Sequence, residues 1–243
     1  MKHLTVITVT FNAEQAIAKT LHSVMGQTVF DDQIDYILVD GGSKDKTMEL
    51  INPFVSKLAH LFHEPDHGIF DAMNKGAAIA KTPWLMFLNA GDEFFDNDTV
   101  SSLQLARQVP DHIIYGDCIR TFGDGRRKLQ KAEPFFEKKD CVPGIGICHQ
   151  SIYIPTTWMN SHPYLWQQYP HCADFEQIYS FWKEGRRMEY LDRPLCYYSY
   201  GDGFSSNVKN IREVFEENAS ITNQKHSWLY YKQKLHLWLS SLK

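Results

Sequence analysis

The chain has 243 residues, a hydrophobic share of 43%, a charged share of 22% and a formal net charge of −4. This length suffices for one sizeable α/β domain with a buried core, and the composition excludes a wholly disordered protein. The negative charge argues against a general nucleic-acid-binding protein, because such proteins normally need a marked basic excess. We therefore expect a globular protein without a nucleic-acid partner.

The first half of the sequence alternates between short apolar runs and helical patterns. The runs are rich in β-branched residues and indicate buried strands, whereas apolar residues three and four apart indicate amphipathic helices. Asn12 is predicted to cap the first helix. Predicted strands cover residues 4–9, 36–39, 61–62, 84–88 and 113–115, and predicted helices follow Asn12 and cover 48–58, kinked at Pro53, and 69–80. This alternation predicts an α/β protein with a Rossmann-like, mostly parallel central sheet and helices on both faces.

Polar residues follow three of these strands, at Thr10, Asp40 and Asp92. Asp92 comes after an apolar run that stops at Asn89, which is typical of a buried parallel strand that delivers a carboxylate to its carboxyl edge. Ligands of open α/β sheets bind at that edge. The sequence therefore predicts a ligand site where these three strands end.

The second half loses this rhythm. Gly123, Asp124 and Gly125 lie between polar and basic residues and indicate a hairpin within 118–131. Further predictions are a loop at 143–147, a strand at 151–154, a helix at 173–184, strands at 188–191 and 195–200, and a glycine-rich loop at 201–206. We expect that last loop either to close over a bound ligand or to be an ordinary turn.

Residues 225–243 contain no acid and interleave aromatic and leucine residues with lysines. This composition is typical of a basic amphipathic helix that lies in a membrane interface. The alternative is a terminal helix that packs on its own domain. Elsewhere, the apolar run 4–9 is too short for a signal peptide, and no run approaches the length of a membrane span. Five cysteines without a C-x-x-C pair favour reduced thiols, so we expect a cytoplasmic protein, peripheral to the inner membrane face if the tail binds lipid.

Six motifs in order give the sequence a resemblance to glycosyltransferase family 2, the inverting enzymes with the GT-A fold. Within that family it is similar to small bacterial enzymes of capsular, exopolysaccharide and lipopolysaccharide synthesis, such as the colanic acid transferases. The motifs are ITVTFNA at 7–13, VDGGSKDKT at 39–47, EPDHGIFDAMNKG at 64–76, FLNAGD at 87–92, HQ at 149–150 and ADFE at 173–176. The resemblance covers about the first two thirds of the chain. It implies a GT-A domain at 1–206, with a donor half at 1–117 and an acceptor half at 118–206, followed by a helical extension at 207–243.

The resemblance implies a metal site at Asp92 for Mn²⁺ or Mg²⁺ on the diphosphate of an activated sugar. Many relatives carry an acidic cluster D-x-D-D there, whereas this chain has Asn89 and Gly91 at two of those positions. The N-x-G-D variant is similar to the bacterial subgroup named above. Asn89 is then expected to bond a ribose or sugar hydroxyl or to fix the turn.

The resemblance also assigns the nucleotide pocket. Asp40 would contact the base or ribose, with Thr10, Phe11 and Asn12 on the other wall; alternatively, Asp40 merely starts the turn at 41–42. Lys75 would reach the diphosphate, with His67 as another donor and a solvated lysine as the alternative. Asp45 and Thr47 are interpreted as caps of the following helix.

An inverting transferase needs one carboxylate to take the proton of the attacking hydroxyl. Asp174 matches the family position for this base, and Glu176 is the second candidate. Both acids also suit the first turn of a helix without any catalytic role. His149 and Gln150 are expected to line the sugar or acceptor pocket.

These features together predict a metal-dependent inverting glycosyltransferase. A nucleoside-diphosphate sugar, with UDP favoured, would be the donor, and the acceptor would be a hydroxyl of a lipid-linked molecule or oligosaccharide in bacterial surface polysaccharide synthesis. The alternative is a non-catalytic nucleotide-sugar-binding or assembly subunit. A nicotinamide-dependent oxidoreductase is less consistent, because the first strand lacks the G-x-G-x-x-G that such proteins need.

Overall fold

A computed structural model describes residues 1–133, 144–201 and 210–240 of the chain. In these residues nine strands form one mixed sheet in the order β3-β2-β1-β4-β8-β6-β9-β5, with β7 paired to β6. The strands are β1 (Leu4–Thr10), β2 (Ile34–Asp40), β3 (His60–His63), β4 (Trp84–Phe87), β5 (Glu93–Phe94), β6 (Ile113–Phe122), β7 (Arg127–Gln130), β8 (Ile152–Pro155) and β9 (Met188–Tyr200). This confirms the predicted α/β fold with a mostly parallel central sheet.

The four strands β1 to β4 pair in parallel and bring the predicted polar ends to one edge. Thr10 is the register partner of Asp40, so these two strands end side by side. All seven residues of β1 are buried, which explains why the run is continuously apolar or β-branched: both faces of the sheet are covered. Ile7 and Val9 belong to the core on one face, and Leu4 and Val6 to the core on the other.

The helices of the first half are α1 (Ile17–Met25), α2 (Phe30–Gln33), α3 (Thr47–Ile51), α4 (Ile69–Ala78) and α5 (Thr99–Ser102). Beyond α3 the chain tightens into a 3₁₀ helix at Asn52–Lys57, because Pro53 cannot continue the α-helical ladder. Three short elements of this half, α2, β5 and α5, have no counterpart in the sequence prediction, since each is too short for a periodic pattern.

The prediction that Asn12 caps the first helix is wrong. Asn12 has a φ of +47°, a left-handed conformation that asparagine tolerates, and α1 begins only at Ile17. The Asn12 side-chain oxygen instead accepts a hydrogen bond from the backbone N–H of Lys44 at 2.9 Å. The residue therefore ties the loop after β1 to the loop after β2.

In the second half, β6 pairs in parallel with β9 and antiparallel with β7 and β8. The β6–β7 pair is the hairpin predicted within 118–131, and the predicted boundary at 117 between donor and acceptor halves falls inside β6. The two strands predicted at 188–191 and 195–200 form one strand, β9. The register shifts twice opposite residues 116–118, which absorbs residues 192–193 and 195, so Pro194 lies within a bulged segment and does not end the strand.

The remaining helices are α6 (Thr156–Ser161), α7 (Ala173–Lys183), α8 (Ile211–Ile221) and α9 (Trp228–Ser240). Helix α8 packs against α7, and α9 packs on α8, where the Tyr230 ring stacks on Phe215 with centroids 5.4 Å apart. Within the described ranges, no helix combines the length and the apolar character that a membrane crossing requires. The predicted loop beyond Gly201 and the predicted boundary at 206 lie outside the described residues.

Gly76 sits in the middle of α4 where that helix meets the sheet. A Cβ at this position would lie 2.8 Å from Cγ2 of Ile7 and 3.2 Å from Cγ2 of Val39. Glycine therefore lets the helix approach β1 and β2 closely enough to bury Met73 and Ala77.

We expect Gly76→Ala to lower the free energy of unfolding by about 1–3 kcal/mol, since an added methyl group must push helix and sheet apart. Urea denaturation followed by circular dichroism measures this. Gly123→Ala is the matched control, because a Cβ there meets no atom within 4 Å. Equal stabilities of the two variants would contradict this account of the helix packing.

Candidate active site

A cleft of about 920 Å³ opens where β1 and β4 end. Its other walls come from residues 144–150, from the end of β9 and from the first turn of α7. Of the predicted site residues, Thr10, Phe11, Asn12, Asn89, Gly91, Asp92, His149, Gln150 and Asp174 line this cleft. Asp40, Lys75 and Glu176 are not among its lining residues. The cleft therefore contains both Asp92, the predicted metal ligand, and Asp174, the predicted catalytic base.

Asp92 lies at the buried end of this cleft and is 3% exposed. Its Oδ1 accepts a hydrogen bond from the Ser199 backbone N–H at 2.9 Å, and its backbone carbonyl accepts one from the Thr20 hydroxyl at 2.7 Å. Gly91 before it has a φ of +100°, which favours glycine, and its carbonyl accepts a bond from Ser199 Oγ at 2.8 Å. Burial raises the pKa of Asp92 to about 7, although the Ser199 N–H opposes the shift.

The surroundings of Asp92 fit a divalent ion that brings further oxygen ligands with it. Among the described residues no three His, Cys, Asp or Glu side chains gather as a metal site. Thr10 Oγ1 and Asn89 Oδ1 are buried in the same cleft, and neither has a hydrogen-bond partner in the described part of the chain. Mg²⁺ is commonly held by one or two carboxylates together with phosphate oxygens. This donor set therefore suits an ion carried on a diphosphate.

Asp40 holds the turn after β2. Its carboxylate is fully buried and accepts hydrogen bonds from the backbone N–H groups of Gly42 and Ser43 at 3.1 and 2.8 Å, from the Ser43 hydroxyl, and from the His63 ring at 2.7 Å. The same Ser43 hydroxyl accepts a bond from the Asn12 N–H at 2.8 Å. Asp40 thus fixes the turn after β2 and supports the cleft wall indirectly through Asn12.

Lys75 and His67 are both engaged outside the cleft. The Lys75 ammonium lies 3.3 Å from a Glu64 carboxylate oxygen and 3.7 Å from one of Asp71. The exposed His67 ring stacks on Trp166 with centroids 5.6 Å apart. Asp45 accepts a hydrogen bond from the N–H of Thr47, the first residue of α3, as expected for a residue at a helix start.

Asp174 lies in the first turn of α7 and lines the cleft together with His149. Burial raises the pKa of Asp174, and His149 opposes this shift; burial lowers the pKa of His149, and Asp174 opposes that shift. His149 Nε2 bonds the Tyr164 hydroxyl at 2.7 Å, and its ring stacks on Phe87. A carboxylate with a raised pKa in a cleft is poised to accept a proton.

Glu176 points elsewhere, although it lies only two residues further along the helix. Its two oxygens bond the Ser180 hydroxyl at 2.8 Å and the His162 ring at 3.2 Å. The structure thus separates the two candidate bases: Asp174 lines the cleft and Glu176 does not.

The sequence analysis missed the cleft wall that β6, β7 and β9 contribute. Arg120 of β6 donates from Nε to the Gln130 side-chain oxygen at 2.5 Å, and its guanidinium lies 4.6 Å from the centre of the Tyr200 ring. Arg120, Gln130, His171, Tyr198, Ser199 and Tyr200 all line the cleft. The predicted hairpin includes Gln130 but did not place it in the cleft. The pairing of β6 with the distant β9 leaves no local sequence pattern, so the rest of this wall could not be predicted.

A sequence model of the family described as "Glycosyl transferase family 2" matches residues 5–167. The chain belongs to glycosyltransferase family 2. The matched range carries Asp40, Asp92 and His149 and ends before Asp174. The described C-terminal helices α8 and α9 lie beyond it.

Curated relatives agree with this membership. The chain is 31% identical over 153 residues to a PGL/p-HBAD biosynthesis glycosyltransferase of Mycobacterium bovis, which covers 61% of this chain and 57% of that protein. It is 31% identical over 117 residues to an uncharacterized glycosyltransferase of Haemophilus influenzae, covering 47% of this chain and 45% of the relative. The chain thus spans about half the length of these relatives.

Two solved structures share the fold. One is S. aureus TarS 1–349 in complex with UDP-GlcNAc, with a TM-score of 0.62, 16% identity and coverage of 91% of this chain and 66% of that one. The other is the mannosyltransferase PcManGT from Pyrobaculum calidifontis in complex with GDP-Man and Mn²⁺, with a TM-score of 0.67, 14% identity and coverage of 94% and 69%. These likenesses bear out the predicted GT-A fold.

The buried Asp92 predicts a specific pH dependence of stability in the metal-free protein. An acid whose folded pKa exceeds its unfolded value stabilises the fold only while protonated, so this contribution is lost as pH rises from about 4 to about 7. We expect the difference in free energy of unfolding, Asp92→Asn minus wild type, to increase by a few kcal/mol between about pH 4 and pH 7. Above pH 7 the difference should stay constant.

Urea denaturation in EDTA at a series of pH values measures this difference. Asp31→Asn, which removes an exposed acid of α2, is the control and should show a flat difference. If the difference in free energy of unfolding between Asp92→Asn and the wild type were also independent of pH, burial would not raise the pKa of Asp92.

Proposed function

We propose that the protein is an inverting glycosyltransferase that moves a sugar from a nucleoside diphosphate, with UDP favoured, to an acceptor hydroxyl. The observation that carries this proposal is the common cleft of Asp92 and Asp174, one acid suited to a metal ion and the other to a proton. Membership of glycosyltransferase family 2 supports the reaction class.

The donor would occupy the part of the cleft formed by the ends of β1 and β4. Phe11 offers an exposed aromatic ring for a base, and Thr10 and Asn89 offer buried oxygens without partners in the described residues. Nucleotide sugars bound to the two solved relatives support a donor of this class. Lys75 and Glu176 have no part in this proposal, since both are engaged outside the cleft.

A divalent ion held by Asp92, Mn²⁺ or Mg²⁺, would stabilise the charge that develops on the departing diphosphate. Gly91 keeps the backbone turn that presents this carboxylate. Ser199 orients it from β9 through its backbone N–H.

Asp174 would act as general base. As the acceptor oxygen bonds to the anomeric carbon, the bond from that carbon to the diphosphate oxygen breaks, and the hydroxyl proton passes to the Asp174 carboxylate. The burial that raises the pKa of Asp174 makes it a better proton acceptor at neutral pH. His149 and Gln150 lie beside this path and would contact the sugar or the acceptor.

The acceptor would be a lipid-linked molecule or an oligosaccharide in bacterial surface polysaccharide synthesis. The relatives are bacterial glycosyltransferases, one of them assigned by name to PGL/p-HBAD biosynthesis, which supports this setting. A panel of UDP-, GDP- and dTDP-sugars with and without Mn²⁺ tests the proposal through donor hydrolysis and nucleotide-induced thermal shift. Nucleotide binding without hydrolysis or transfer would favour the non-catalytic subunit, and no binding at all would overturn both.

We expect Asp174→Asn to lower kcat by about 10²- to 10⁴-fold, because an amide cannot accept the proton, while the UDP-induced thermal shift persists. Glu176→Gln is the matched comparison on the same helix and should retain activity. Donor hydrolysis and transfer assays on both variants measure this. The opposite pattern would move the base to Glu176.

We further propose that α9 rests on an anionic membrane surface. Trp228, Tyr231, Leu235 and Trp238 are 75%, 55%, 56% and 53% exposed, and their spacing places them on one face of the helix. Lys232 lies 5.2 Å from the centre of the Trp228 ring, so a cation accompanies the apolar face. Apolar burial and attraction to acidic headgroups act together in such helices.

Sedimentation with phosphatidylcholine vesicles containing phosphatidylglycerol tests this contact. We expect the triple variant Trp228→Ala/Tyr231→Ala/Leu235→Ala to bind at least about tenfold more weakly, since three apolar side chains no longer insert. Val55→Ala/Val109→Ala, which removes exposed apolar residues elsewhere, is the control. Unchanged binding of the triple variant, or no binding by the wild type, would contradict the proposal.

A further inference from the structure

Helix α7, which carries Asp174, is anchored at its start by a carboxylate from the C-terminal helix α8. Glu217 Oε2 accepts hydrogen bonds from the backbone N–H groups of His171 at 3.0 Å and Cys172 at 2.9 Å. Glu217 Oε1 accepts a third from His171 Nδ1 at 2.6 Å. One side chain, 45 residues further along the chain, thus fixes both residues that precede α7.

These bonds have the properties of a structural anchor. The side chains of Glu217 and His171 are 14% and 18% exposed, so solvent competes weakly for the bonds. The first N–H groups of a helix need acceptors from outside it, and a carboxylate is favourable at the positive end of the helix dipole. The residue before α7 is Cys172, and its side chain makes no capping hydrogen bond to the helix in the described part of the chain. Glu217 accepts from the N–H of Cys172 itself and from that of His171 before it, so its carboxylate lies at the amino end of α7.

The anchored residues belong to the cleft. His171 lines it, and Asp174 lines it three residues later. We propose that Glu217 is a positioning residue for the transfer reaction: it holds the start of α7 so that the Asp174 carboxylate faces the cleft, and it keeps a negative charge behind that base. This inference rests on the proposed function, in which Asp174 takes the acceptor proton.

The charges around Asp174 come from several elements. His149 from the segment before β8 opposes the rise in the pKa of Asp174, whereas Glu217 from α8 adds to it. Cys172 precedes α7 and Tyr164 follows α6; burial raises the pKa of both groups, and the Asp174 charge adds to the shift. Removing the negative charge of Glu217 should therefore lower the pKa of Asp174, since a carboxylate ionises more easily with fewer anions near it.

Two substitutions separate position from charge. Glu217→Gln keeps an oxygen for the two backbone N–H groups but removes the charge, so the acidic limb of the kcat/KM profile should move to lower pH. Glu217→Ala removes the anchor, and kcat should fall by up to about 100-fold with little change in donor KM, as a misplacement of about 1 Å can cause. The enzyme assayed is the full chain with Mn²⁺ and the donor that the wild type uses.

Glu216→Gln is the matched control, because the neighbouring Glu216 faces α9 and bonds Tyr230 and Lys234. It should leave kcat and the pH profile unchanged. A Glu217→Gln variant that keeps its UDP-induced thermal shift and the wild-type pH profile would overturn the charge role. A Glu217→Ala variant that keeps wild-type kcat would overturn the anchor. Failure of the proposed function is distinct, since the wild type itself would then lack transfer and hydrolysis.

Discussion

The architecture depends on how one buried carboxylate is held where the two parts of the sheet meet. Asp92 follows β4 of the parallel part, yet its side-chain bond comes from Ser199 of β9 in the mixed part. Ser199 also donates from its hydroxyl to the Gly91 carbonyl, so two bonds cross at this point. Burying a carboxylate is costly unless it is hydrogen-bonded or paired. A bound ligand that supplies positive charge would offset this cost.

The two buried acids of the cleft have different neighbours, which suit one to a metal ion and the other to a proton. The Asp92 carboxylate accepts a hydrogen bond from the Ser199 N–H and has no ion pair among the described residues, which is compatible with the divalent cation proposed for it. Asp174 is flanked by His149 and backed by Glu217, and its raised pKa suits a proton. Environments that differ around two carboxylates commonly mark a division of roles.

The sequence predicted those parts of the structure that depend on local patterns. Strands β1, β2 and β4 are apolar on both faces and end in polar residues, so the sheet edge and the cleft residues Thr10, Asn89 and Asp92 could be predicted. The function of Asp40 could not be resolved in this way, because the same sequence serves a turn or a ligand. Only the four hydrogen bonds to its carboxylate show that it holds the turn.

Contacts between distant segments were beyond local prediction. The cleft wall that contains Arg120 depends on the parallel pairing of β6 with β9. The bulge at Pro194 makes the sequence of β9 resemble two separate strands. Asn12 has the chemistry of a helix cap, but its backbone is left-handed and its side chain binds the next loop. In each case a tertiary contact decided between two local conformations that the residue type allows.

Helix α8 shows how a segment outside the family match can belong to the same site. Successive residues of a helix point about 100° apart, so neighbouring acids can face different partners. Glu216 bonds Tyr230 and Lys234 of α9, while Glu217 bonds the residues that precede α7. One helix therefore connects the exposed aromatic face of α9 to the helix that carries the proposed base. The two contacts have separate partners, so removing the Glu217 carboxylate acts on the start of α7 and leaves the Glu216 bonds to α9 in place.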